Sequence, residues 1–212
     1  MNSANRPEVR PAQVVRCVVL ALIAAASVFA PTARAETPDP LRVTVLPCYG
    51  PTCDAVLVAP GPLAGTTYTI TIRNPDNQPI AGASVFVGFN SAVRVCSDAY
   101  HGAVTDANGT CSITLKAGGC IANPTAGACF IVANGIEIRS YTRVRSPDNS
   151  SHVGSVASGT VTVSDLVFFS EEFKGQAPAA CHDYSNDGAV TIADLVIFGE
   201  AFHAGSSCPL TP

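Results

Sequence analysis

Apolar and polar residues alternate in short runs between positions 41 and 145. Leu41, Val43 and Val45 form one set, Tyr68, Ile70 and Ile72 interleave with threonines in a second, and Ala83, Val85, Val87 and Phe89 form a third. Cys111, Ile113 and Leu115 alternate with Ser112 and Thr114, and two further runs cover 128–133 and 136–141. A period of two puts one set of side chains on one face of an extended chain, so each run predicts a half-buried strand. Turn signals separate them at Asn74-Pro75-Asp76-Asn77, Asp106-Ala107-Asn108-Gly109, Ala117-Gly118-Gly119 and Asn134-Gly135, the last reading as a tight hairpin. About seven such strands predict a two-sheet sandwich.

After position 145 the period changes. Leu195, Phe198 and Phe202 recur at helical spacing, and residues 161–173 align without gaps on 190–202, a separation of 29 from Asp165 to Asp194. A repeat of this length is one supersecondary unit written twice, each copy too small to bury its own apolar face. The two helices are therefore expected to pack on each other.

The second copy carries a chemistry. Asp183, Ser185 and Asp187 put oxygen donors at alternate positions, Gly188 follows where the loop must turn, and Asp194 closes twelve residues. This is the spacing of a Ca²⁺ loop. The Ala189 carbonyl and Thr191 supply further oxygens, and the positive N-terminus of the following helix favours the Asp194 carboxylate. Tyr184 and Asn186 are expected to face outward. The competing reading is an acidic surface turn before a helix. In the same frame the first copy offers Gly154, Val156 and Ser158, which lack the charge to hold Ca²⁺, with Gly159, Thr160, Thr162 and Asp165 still in place. Asp148 and Asn149 offer a displaced loop start, separated by an insertion. One occupied site is expected.

On these residues the stretch from about 147 to 208 resembles the dockerin family, whose modules pair two calcium loop-helix repeats and dock onto cohesin modules. The resemblance implies a small all-α module of two half EF-hands. It also implies contact with a cohesin-like or cell-surface protein through Val163, Ser164, Ile192 and Ala193, just before each closing aspartate. The pieces YTITIRNPDNQPIAGASVFVGF and Thr105-Asp-Ala-Asn-Gly-Thr110 resemble the bacterial Ig-like or invasin-type sandwich. The expected fold class is thus mainly β, an Ig-like sandwich at 36–145, joined by a polar linker at 146–152 to a dockerin-like module at 153–212.

Residues 1–35 read as a secretory signal, with Arg6, Arg10 and Arg16 before an apolar run at 17–30 and an Ala33-Arg34-Ala35 cleavage site. The run is short for a bilayer span and no second one exists, so the remaining chain is expected to be secreted or at the cell surface without a membrane span. Cleavage lowers the 12 basic and 16 acidic side chains to 8 and 15, a net near −7. That excess of acid disfavours nucleic acid as a partner. It suits an extracellular calcium protein.

Export also places Cys48, Cys53, Cys96, Cys111, Cys120, Cys129, Cys181 and Cys208 in an oxidising compartment, where an even number predicts disulfides. Pairing of sequence neighbours is expected: 48 with 53, 96 with 111, 120 with 129, and 181 with 208. A zinc site is the rival use of these cysteines, but no C-x-x-C pair occurs.

No G-x-S-x-G, H-E-x-x-H or Gly-rich phosphate loop is present. His101, His152, His182 and His203 read as solvated loop residues, and Glu171 and Glu172 as an exposed helix face. A non-enzymatic calcium protein is the leading expectation. A carbohydrate-binding accessory module of a polysaccharide-degrading system is the alternative, although the chain has no Trp and only 5 Tyr. A small hydrolase using the loop metal is a third reading; it requires an open coordination position facing a cleft.

Overall fold

A computed structural model describes residues 36–210, and the expected secretory signal at 1–35 lies outside them. The alternating runs become strands. β3 (Thr67–Thr71) lies between β1 (Thr44–Leu46) and β7 (Thr110–Thr114), with Tyr68 opposite Ile113 and Ile70 opposite Cys111. Their outward threonines bond across the strands, Thr67 to Thr114 at 2.8 Å and Thr71 to Thr110 at 3.0 Å. A second sheet has the order β10 (Ile136–Tyr141), β9 (Cys129–Ala133), β4 (Ser84–Phe89), β6 (Gly102–Val104). Asn134 and Gly135 both have positive φ, 49° and 83°, which joins β9 to β10 by the two-residue turn that the sequence predicts. Gly88 sits opposite Phe130 on β9, where a Cβ would strike the aromatic ring.

The inward side chains of both sheets, among them Tyr68, Ile70, Val85, Val87, Ile113 and Ile131, share one core. Two short ladders flank it, β2 (Ala55–Leu57) parallel to β11 (Arg143–Arg145) and β5 (Arg94–Val95) antiparallel to β8 (Ala117–Gly118).

The two repeats form α1 (Val163–Phe173) and α2 (Ile192–His203). Thr162 and Thr191 cap them, and Asp165 and Asp194 at the third helical position reach back to the cap N–H at 2.7 and 2.8 Å, a reciprocal box that fixes where each helix starts. Each helix stops at a glycine with positive φ, Gly175 and Gly205. The helices pack as expected, with the Phe169 and Phe198 rings 5.5 Å apart.

The expected fold class is overturned. The chain is not an Ig-like sandwich followed by a separate all-α module: the described residues, 36–210, form one β-rich unit, about 30% strand, with two short helices. The reason lies in β2, which is buried on both faces. Val56 and Val58 enter the core between the sheets, while Leu57 and Ala59 enter a second core with Leu63, Val161, Phe169, Tyr184, Phe198 and Ala201. Helices of 11 and 12 residues present too little apolar face to close a core alone, so they complete theirs on the β segment. The stretch 146–152, expected as a polar linker, buries Ser146, Asp148 and Asn149.

Three of the four expected cysteine pairs are corrected. Cys48–Cys53 forms, but Cys96 bonds Cys208 and Cys120 bonds Cys181, while Cys111 and Cys129 are buried free thiols. Cys111 and Cys129 occupy inward positions of β7 and β9, on different sheets, and burial pushes both thiols up. The two long bridges, closing 112 and 61 residues, fasten the helical segment to the β segment.

Candidate metal centre

The loop ahead of α2 is built around two buried carboxylates. Asp183 Oδ1 accepts from the Asp187 N–H at 3.1 Å and the Ser185 hydroxyl at 3.3 Å, and its Oδ2 accepts from the Gly188 N–H at 2.9 Å. Asp194 Oδ1 accepts from the Ser185 N–H at 2.9 Å, and its Oδ2 from the Thr191 N–H and hydroxyl at 2.8 and 3.0 Å. Ser185 therefore stands between the two acids. Gly188 adopts φ +100° with open space where a Cβ would be, so the requirement for glycine there is conformational.

The expected ligands are thus only partly gathered. Asp183, Ser185 and Asp194 come together, and Thr191 joins them as the helix cap. Asp187 is exposed and turns its carboxylate to the Ala189 N–H at 3.0 Å, so Asp187 and Ala189 sit at the lip of the loop. Each carboxylate has about four lone-pair directions, so the N–H bonds leave acceptor capacity on both buried acids. Burial pushes the Asp183 carboxyl up, as does the neighbouring Asp194, while the loop N–H groups and the Arg145 charge act the other way. A divalent cation fits this surplus of buried negative charge.

Tyr184, expected to face outward, is fully buried between the two repeats, stacked on Phe169 at 6.1 Å. Burial, then the charges of Asp165, Glu172 and Asp194, push its phenol far up. Asn186 is half-buried and donates to Asp54 at 3.0 Å, and the Gly50 N–H bonds the Ser185 carbonyl at 2.9 Å. The Cys48–Cys53 bridge thereby braces the loop from the β segment. A cleft of about 480 Å³ opens beside it, lined in part by Asp54, Arg143, Asp183 and Asp187.

The first repeat has the same construction with its start displaced. Asp148 Oδ1 accepts from the Ser158 N–H at 2.9 Å and Oδ2 from the Gly159 N–H at 2.9 Å, as Asp183 does from Asp187 and Gly188. Asp165 closes this loop on the Thr162 N–H at 2.7 Å and the Ser150 hydroxyl at 2.8 Å. Gly159 has φ +82°. It lies eleven residues beyond Asp148, where Gly188 lies five beyond Asp183, so the insertion falls inside the loop. The frame that used Gly154 and Val156 is therefore replaced by one starting at Asp148. The signal was present in the Asp148-Asn149-Ser150 and Asp183-Tyr184-Ser185 match. This copy offers two carboxylates and no counterpart to Asp187.

Val163, Ser164, Ile192 and Ala193 are all exposed in the first turns of the helices, beside exposed Val167, Leu195 and Val196.

Three of the four histidines and Glu172 differ from expectation, while His203 is exposed as expected. Among the four histidines, His101 and His182 are buried and His152 is half-buried. Glu172 Oε1 lies 2.8 Å from His182 Nδ1 and 3.1 Å from His152 Nδ1, and its Oε2 accepts from the Ala180 and His182 N–H groups at 3.0 and 3.2 Å. Burial pushes this carboxyl up, but the hydrogen bond and charge of His182, with the bond from His152, outweigh it and hold Glu172 at about 2.

No family model, characterised protein or solved structure matches this chain. Among the described residues no helix is long and apolar enough to cross a membrane.

Proposed function

We propose that this chain is an exported, non-enzymatic calcium-binding protein. One Ca²⁺ in the 183–194 loop orders the helical layer against the β layers and sets the first turns of α1 and α2 as a docking surface for a protein partner. The observation that carries the reading is the pair of buried carboxylates, Asp183 and Asp194, held on either side of Ser185 in a loop that turns at a left-handed glycine. Asp187 at the lip provides a third charge, which the 148–165 loop lacks, so the second loop takes the ion. Three disulfides fit an oxidising compartment. Docking through Val163, Ser164, Ile192 and Ala193 is supported by their exposure beside other exposed apolar side chains.

Isothermal calorimetry of the purified, chelator-treated chain tests the reading. One equivalent of Ca²⁺ is expected to bind with a dissociation constant of about 10⁻⁴ to 10⁻³ M, and Asp194→Asn is expected to abolish the heat. Absence of any calcium heat in the folded wild-type chain refutes it. N-terminal sequencing of protein recovered from the culture medium checks export, with a start at or near Glu36 expected.

A further inference from the structure

The cluster at His152, Glu172 and His182 brings two imidazoles and a buried carboxylate to one point. His182 Nε2 lies 3.1 Å from the Asn149 carbonyl oxygen, which only accepts, so that nitrogen carries a hydrogen. His182 Nδ1 is then a bare acceptor in the neutral ring, and 2.8 Å from it lies another acceptor, Glu172 Oε1. His152 repeats the arrangement. Its Nε2 lies 2.8 Å from Glu171 Oε2, and its Nδ1 points to the same Glu172 Oε1 at 3.1 Å. With both rings neutral, three acceptors thus converge and both ring hydrogens point outward. In the metal-free chain charging both rings supplies every hydrogen these contacts need and accounts for the low Glu172 carboxyl, but it places two imidazolium groups with centroids 6.4 Å apart, one of them fully buried. A single divalent cation satisfies the same three atoms without that repulsion.

We infer that His152 Nδ1, His182 Nδ1 and Glu172 Oε1 form a binding site for a zinc-class divalent metal ion, distinct from the oxygen-lined loop. The donor set of two imidazoles and one carboxylate selects a borderline ion over calcium. Ligand atoms of a tetrahedral zinc stand about 3.3 Å apart, given bonds near 2.0–2.1 Å. The two distances to Glu172 Oε1 are 2.8 and 3.1 Å, and all three atoms lie within 4.8 Å of one another, so small movements complete the geometry. The surrounding contacts are those such a site uses: Asn149 and Glu171 fix the two ring tautomers, and the Ala180 and His182 N–H groups hold the other oxygen of Glu172. His152 is 19% exposed where the Glu172 and His182 side chains are fully buried, so the fourth position opens on its side.

The site also explains what the insertion in the first loop does. His152 belongs to that insertion, Glu172 to the last turn of α1, and His182 directly precedes Asp183. A bound ion clasps the insertion and the second loop to the end of α1.

Untagged, metal-stripped full chain titrated with Zn²⁺ against a chromophoric chelator provides the test, with Co²⁺ as a spectroscopic probe. One equivalent of Zn²⁺ is expected, with visible Co²⁺ bands of tetrahedral type. His152→Ala, on the half-exposed insertion and so the variant most certain to fold, is expected to weaken Zn²⁺ binding by roughly 100-fold or more, and Glu171→Gln by about 10-fold, since outer contacts of this kind are worth 10–100-fold. Asp194→Asn is expected to leave Zn²⁺ uptake unchanged, which separates this site from the calcium loop. No stoichiometric uptake by the folded wild-type chain, or uptake indifferent to His152→Ala, overturns the inference.

Discussion

Leu57→Ala probes the feature that makes this chain one unit. Leu57 is 1% exposed and enters the helical core, while its neighbours Val56 and Val58 enter the core between the sheets. Truncation removes three carbons from a core shared with Ala59, Leu63, Phe169 and Phe198, on a strand held by β11 and by the Tyr68 hydroxyl on its N–H at 2.8 Å. The site has little freedom to collapse, so the cost belongs in the upper half of the roughly 2–5 kcal/mol seen for buried leucine truncations. At about 2–4 °C per kcal/mol for a chain of this size, the melting temperature should fall by roughly 7–20 °C. Differential scanning calorimetry should show one transition in the wild type and one, shifted as a whole, in the variant. Two transitions, with only one of them moved by Leu57→Ala, would refute the shared-core account.

Other consequences follow from the same structure. Glu172 is held at about 2, below its ordinary 4.5, so its stabilisation is complete above pH 4.5 and is lost as the pH falls toward 2. Chelated protein should lose about 3 kcal/mol over that window, and Glu172→Gln should flatten the loss in urea titrations at each pH. For His152 burial acts downward but the bonds from Glu171 and Glu172 prevail and raise the group. Its contribution is therefore present below its ordinary 6.5 and fades as the pH rises through the raised value, so His152→Ala should cost more at pH 5 than at pH 8 in the same chelated protein. In the chain beginning at Glu36, thiol titration should find no reactive cysteine in the native state and two after unfolding without reductant, with Cys96–Cys208 and Cys120–Cys181 recovered by peptide mapping. Replacing Cys96 and Cys208 by serine should cost about 2–5 kcal/mol, read from denaturant midpoints.

The sequence was readable wherever a local rule governed it. β3, β4, β7 and β10 follow from alternation, β9 from a short apolar run ending at the Asn134-Gly135 hairpin, and both helices from the repeat. β2 escaped because Ala55 to Ala59 is continuously apolar and, unlike β9, has no hairpin beside it to mark it: its partner is the parallel and distant β11. The cysteine pairing escaped because it depends on which loops the third layer covers. Glu172 was misread as exposed although its counterpart in the second repeat is Ala201; both are buried, and the alanine marked the position as inward. In the first loop the displaced start at Asp148 and the insertion were legible, while the ungapped frame through Gly154 and Val156 was not the one the chain uses. The histidines give no periodic signal, so their convergence on Glu172 required the fold.

The central claim is that an ion held by Asp183 and Asp194 stabilises the helical layer, and thermal unfolding with and without calcium tests it most directly. At a hundredfold excess of Ca²⁺ over its dissociation constant the chain should gain about 2.7 kcal/mol, a rise of roughly 5–11 °C in melting temperature, and Asp183→Asn should abolish the difference. Superimposable unfolding curves for the wild-type chain in calcium and in chelator would contradict the account.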